Sequence, residues 1–175
     1  VMTLTFQSFN AYTLSGGTLN LYSTILVNSP NGSHTINSNI ALQSNVVVTN
    51  STSNPLTISG VISGPHQFQL TAGTVVLSAA NTYTGGTVIT GGNVQGTTTS
   101  IQGNVSSNGT LTFNQGTTGT YSGMINGDGN VVISGNGTIN FTGSNGYTGQ
   151  TQLNAGILQI SIINNIGTGV INFSG

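Results

Sequence analysis

The chain contains no Lys, no Arg and no Cys, and its 175 residues carry a single carboxylate, Asp128. An average soluble domain is about one quarter charged, so tens of charged side chains are missing. Nucleic acid and anionic membranes are gripped through Lys and Arg, and neither is expected as a partner. The absence of Cys removes disulfides and thiolate metal sites and leaves the compartment open. No apolar run approaches the roughly 20 residues of a membrane-spanning helix. The longest, such as Ile25 to Val27 and Val46 to Val48, are three residues. The chain opens on Val1 without a leader or an initiator Met, which suggests a processed or excised piece of a longer secreted precursor.

What is present is polar and neutral: Thr, Ser, Asn, Gln and 27 Gly, with 35% apolar residues and a formal net charge of −1. Disordered chains combine low hydrophobicity with high net charge, and the second condition fails here. Helical periodicity is missing. Short alternating words take its place: TLTF (3–6), TLNLY (18–22), TVVLS (74–78), TLTF (110–113), NVVIS (130–134), TINFT (138–142), ILQIS (157–161) and VINFS (170–174). Each is rich in β-branched or aromatic residues and bounded by Gly, Asn or Ser, which predicts strands. Asn-Gly pairs at 31–32, 108–109, 126–127, 136–137 and 145–146 predict tight turns, because both residues tolerate positive φ. The fold class is all β.

NTYTGGT at 81–87 returns as NGYTGQT at 145–151, and the surrounding words return with it. SGVISG (59–64) matches SGMING (122–127), and AGTVVLSAANTYTGGT (72–87) matches NGTINFTGSNGYTGQT (136–151) at an offset of 64, Gly135 being the extra residue. NAYT (10–13) before SGGTLNL (15–21) is a degraded third echo. Repetition at this period predicts a solenoid, in which stacked units align their strands and turns into ladders. A β-sandwich with duplicated halves is the alternative. One domain, 1–175, is expected, with repeats over 56–95 and 119–160 and a degenerate repeat or a donor or capping strand region over 1–55.

These words resemble the autotransporter-associated β-strand repeat of bacterial secreted passenger domains, over 56–95 and 119–175. GTVVLSAANTYTGGTVITGGNV and GNGTINFTGSNGYTGQTQLNAGILQI are similar to its pattern of a G-x-G-T-L-x-L strand, an N-T-Y-T-G-G-T word and a closing strand. The resemblance implies a right-handed parallel β-helix displayed on, or released from, the cell surface, and brings no catalytic residues. Where that pattern commonly has a Lys before the first strand, this chain has Leu70 and Ile133, which face either the core or a lateral contact. Within the repeated word, Asn81 and Asn145 are expected to bond backbone at a corner. Tyr83 and Tyr147 are expected to cover that corner at equivalent positions with the hydroxyl wet, and Gly85, Gly86 and Gly149 to let the chain reverse.

Few residues offer chemistry. Asp128, in NGDGN (126–130), suggests a calcium loop, but calcium takes six to eight oxygens, usually several of them carboxylates, so a polar turn is the better reading. Glycoside hydrolysis needs two carboxylates, and the chain has one. His34 and His66 stand beside turns and read as exposed loop histidines, able to add charge below about pH 6.5. No G-x-S-x-G elbow is present, and the glycine pairs 127/129 and 135/137 lack the helix that a dinucleotide site requires. Asn-x-Ser/Thr recurs at Asn31, Asn50, Asn104, Asn108, Asn136, Asn140 and Asn172, as composition alone would produce. Thr97 to Thr99 and Thr117–Thr118 suggest an ice-binding row, which the changing Thr register disfavours. No catalytic residue, cofactor or metal is expected.

The expected role is therefore structural: an extracellular bacterial solenoid, protease-resistant and self-assembling head to tail, as a fibre or a surface or biofilm matrix component. An adhesin fragment binding a glycan or host protein is the alternative. Segment 3–9 is the candidate for donation to a neighbouring copy.

Overall fold

The computed structural model describes residues 3–29 and 32–174. Their chain winds in rungs, each visiting three faces in the same order. The first rung is β1 (Leu4–Phe6), β2 (Thr13–Leu14) and β3 (Thr18–Leu21). The second is β4 (Thr24–Val27), β5 (Thr35–Ile36) and β6 (Asn39–Leu42); the third is β7 (Val46–Asn50), β8 (Leu56–Ile58) and β9 (Ile62–Ser63). Rungs four and five keep two strands each: β10 (Phe68–Ala72) with β11 (Thr74–Leu77), then β12 (Thr87–Ile89) with β13 (Asn93–Gly96). The sixth is β14 (Val105–Ser107), β15 (Thr110–Asn114) and β16 (Gly119–Tyr121). The seventh is β17 (Ile125–Asn126), β18 (Asn130–Ser134) and β19 (Thr138–Phe141). The eighth closes with β20 (Thr151–Leu153) and β21 (Ile157–Ile160), and a 3-10 turn at Ile163–Asn165 leads on to β22 (Ile171–Phe173).

The first face is a seven-stranded sheet, β1-β4-β7-β10-β12-β14-β17, and the second a nine-stranded sheet, β2-β5-β8-β11-β13-β15-β18-β20-β22. The third face is split into β3-β6-β9 and β16-β19-β21. It is interrupted where rungs four and five carry irregular segments. Strand pairing is parallel throughout the described residues. Parallel neighbours cannot be joined by tight hairpins, and here the connection is a full turn of the coil. The fold is a β-solenoid of about eight turns, and the duplicated sandwich is not formed. Residues 4–50 supply the opening strands of the same sheets, so the early segment belongs to the stack.

Alternation explains the core. β7 runs buried, half-buried, buried, half-buried, buried, and stacking puts like positions over each other. Ile25, Val48, Leu70 and Ile89 form one inward column on the first face, and Phe113, Ile133 and Leu153 another on the second. Leu70 and Ile133 are thus core residues, fully buried, and each contributes about 1.5–3 kcal/mol of burial.

The Asn-Gly words behave differently from expectation. Among the described residues no non-glycine has positive φ, and of the second members of these pairs Gly127 alone does, at 105°. Asn145 is buried rather than placed at a turn tip. Asn31 lies outside the described residues. Tyr12, in the degraded front echo, is half exposed and builds no corner like those of the later copies.

Candidate functional site

The repeated word builds the same buried clamp twice. Asn81 follows β11, and its amide reaches both ways along the stack. Oδ1 accepts the Ile62 N–H at 2.8 Å in the rung before, and Nδ2 donates to the Ser100 carbonyl at 2.7 Å in the rung after. Asn145 repeats this with the Ile125 N–H at 2.8 Å and the Asn165 carbonyl at 2.6 Å. One side chain therefore ties three rungs together. Both amides are buried, where an unpaired polar group is costly and a paired one specifies register.

Two residues on, Tyr83 and Tyr147 point inward. Each is at most 1% exposed, and the hydroxyl meets the Thr four residues later: Tyr83 with Thr87 Oγ1 at 2.7 Å, Tyr147 with Thr151 Oγ1 at 2.6 Å. The Tyr83 hydroxyl also accepts the Gln102 N–H at 3.2 Å. The expectation of a wet hydroxyl is corrected: the rings fill the core and the hydroxyls are consumed inside it. Burial pushes both phenols above their usual pKa, and the Thr hydrogen bonds pull partly back. Thr87 and Thr151 had no assigned role in the sequence, although both words end on Thr four places after Tyr. Gly85 and Gly149 serve close stacking, since a Cβ would strike the backbone of His66 and of Gly129 respectively. Gly86, at φ 83°, makes the reversal.

The two clamps occupy different faces. Residues 82 and 84 bond back to Ile62 and Gly64 on the third face, and β12 then opens the first face. Residues 146 and 148 bond back to Ile125 and Gly127 on the first face, and β20 then joins the second. From β10 to its counterpart β18 the chain steps through three complete turns and one further face. Tyr83 and Tyr147 thus share an environment but sit a third of a turn apart around the axis.

The other candidates are scattered. Asp128 accepts the Thr148 hydroxyl at 2.8 Å, and no cluster of three or more metal-ligating side chains occurs among the described residues. His34 is 1% exposed, contrary to the loop expectation, and His66 is half-buried in the connection to β10. Asn50 is buried, its amide donating to the Asn54 and Thr74 carbonyls, which removes it as a glycan acceptor. Thr97 to Thr99 form a turn closed by Ser100 and Ile101 N–H bonds to the Thr97 carbonyl, so they make no flat row. A polar cleft of about 280 Å³ opens where the third face is interrupted, lined by Thr98, Gln102, Asn104, Thr120, Tyr121 and Ser122 among others.

The last described rungs carry an apolar surface. Ile163, Val170 and Phe173 are each more than 70% exposed, and Leu153, Leu158, Ile160, Ile166, Ile171 and Phe173 line an apolar hollow of about 200 Å³.

The family model of the passenger-associated-transport-repeat matches residues 72–95 and 131–160. Both segments are similar to that repeat. The matched stretches begin in β10 and β18 and run through both clamps to β13 and β21, so the repeat is the unit that carries Asn, Tyr and Thr. No curated protein and no solved structure matches the chain. Within the described residues no helix is long and apolar enough to cross a membrane.

Proposed function

We propose that this chain is a non-catalytic passenger-type solenoid at a bacterial surface, whose work is structural and whose rods associate head to tail. The observation that carries this is the pair of open strand edges at the two ends of the described coil. The outer edges of β21 and β22 are unpaired, and Ile157, Ile171 and Phe173 stand exposed beside them. The opposite end offers the outer edges of β1, β2 and β3 in the same parallel sense. Solenoids and sheets usually blunt such edges with charge, above all Lys, or with a polar terminal repeat. A net charge of −1 leaves almost no long-range repulsion. Segment 3–9 was expected to be available for donation, but Leu4–Phe6 pairs with β4 in its own chain, so the edge of β1 is what a neighbour meets. The contact is heterologous and does not close into a ring.

Light scattering with electron microscopy at micromolar protein tests this. Filaments are expected, and Val170→Lys with Phe173→Lys should reduce them to monomers; a monodisperse native monomer would end the fibre reading. The same stacked backbone supports resistance to proteinase K, since cleavage needs local opening. The polar cleft at the interrupted third face favours a second reading, an adhesin whose neutral amides and hydroxyls hold a glycan. Binding by isolated monomers on a glycan array, lost in Gln102→Ala with Asn104→Ala, would support it.

A further inference from the structure

His34 is the one imidazole taken out of water, and its surroundings suit the neutral ring alone. It precedes β5 and stacks on Phe6 at 4.7 Å between centroids and on Tyr12 at 6.0 Å. Nδ1 accepts the Tyr12 N–H at 3.2 Å, which places the ring proton on Nε2, and Nε2 is buried with no partner among the described residues. A second proton would go onto Nδ1, where it faces the Tyr12 N–H donor to donor. No carboxylate is near to balance the charge, because Asp128 lies several rungs away between β17 and β18. Tyr12 is the one titratable side chain in ring contact with it among the described residues. The aromatic faces attract an imidazolium and temper this cost, but they replace neither the water nor the lost hydrogen bond.

What His34 supports is otherwise lightly held. Phe9 is mostly and Tyr12 half exposed, and β2 pairs through two residues. The Asn28 N–H and the Ser29 hydroxyl hold the Phe6 and Ser8 carbonyls, and the Tyr12 and Leu14 carbonyls are tied to the next rung by the Thr35 and Asn37 N–H groups. β3, in contrast, pairs with β6 over four residues.

We propose that His34 makes the first described rung acid-labile: protonation of its imidazole releases the Phe6–Leu14 segment from the edge of β5. The device does not depend on whether rods join end to end. Burial lowers the pKa of His34 from its ordinary 6.5. The opened segment therefore binds a proton at a pH where the closed one does not, and closure loses stability as pH falls through the ordinary value.

Amide hydrogen exchange on the native chain, corrected for intrinsic rates, reads this directly. Protection of the Thr35 and Asn37 amides should drop about tenfold or more between about pH 7.5 and about pH 5, while the mid-stack Val105 and Thr110 amides hold. His34→Phe keeps the stacked ring and should flatten the response, whereas His66→Gln should leave it as in the native chain. Equal protection at both pH values, or a response that follows His66, would overturn the proposal. An NMR titration of the native protein needs no variant: a His34 midpoint at or above about 6.5 would overturn it as well.

Discussion

The first clamp lies in mid-stack on the third face, and the second lies near the end of the coil on the first face, yet their hydrogen bonds agree almost atom for atom. Asn81 reaches forward to an irregular turn at Ser100, and Asn145 to the 3-10 turn at Asn165. The clamp therefore does not depend on which face it occupies or on the strand that receives it. It needs only a rung before, a rung after and a Thr four places beyond the Tyr. The copies differ in what surrounds them. Asn93 in the first corresponds to the exposed Ile157 in the second, and Gly86 to Gln150.

Cutting the ring away tests that comparison most severely. Tyr83→Ala should cost about 3–5 kcal/mol, as for other large buried rings, and lower the urea midpoint of the whole stack. Tyr147→Ala removes a ring of equal burial with fewer described rungs beyond it, so its loss should be confined to exchange of the last rungs. Equal global losses would show that the end is as tightly coupled as the middle. Asn81→Ala and Asn145→Ala come next, each orphaning one buried N–H and one carbonyl at about 1–3 kcal/mol per group. Exchange at the Ile62 and Ile125 amides should report the break locally. A backbone swap sharpens the contrast further. Gly86→Gln copies the second repeat into the first, but Gly86 has φ 83°, where a side chain costs about 1–2 kcal/mol. Gln150→Gly should cost less, because Gln150 has no positive φ. The smallest effect belongs to the hydroxyls. Tyr83→Phe and Tyr147→Phe should each lose about 1 kcal/mol, and double-mutant cycles with Thr87→Val and Thr151→Val should return matching couplings.

The eight alternating words all became strands, β1, β3, β11, β15, β18, β19, β21 and β22. Of these, β11, β18 and β19 alternate over the core, whereas β21 and β22 are largely exposed and are held by their pairing to the previous rung. The repeat and the solenoid were legible in the same words. Strands of two residues, such as β5 and β17, leave no pattern to read. The rotation of the clamp between faces was hidden as well, since offsets count residues while faces are set by corner lengths. The corner after β10 is the single Gly73, and its counterpart after β18 runs through Gly135, Asn136 and Gly137. Asn81 and Asn145 were read correctly as backbone binders. Burial of the Tyr hydroxyls was not legible, since their acceptors become visible only once the ring is known to turn inward. His34 misled for a related reason: Phe6 and Tyr12, which cover it, arrive from the previous rung and are distant in sequence.

The extra third of a turn between β10 and β18 has a mechanical side. If clamps recurred every whole number of turns, they would line one face like rivets along a single seam, and the two remaining faces could peel without breaking any. The one-face step staggers the two clamps around the rod, so that they brace two different walls. A crack that spreads from one of these walls to the other then meets a fastener on each.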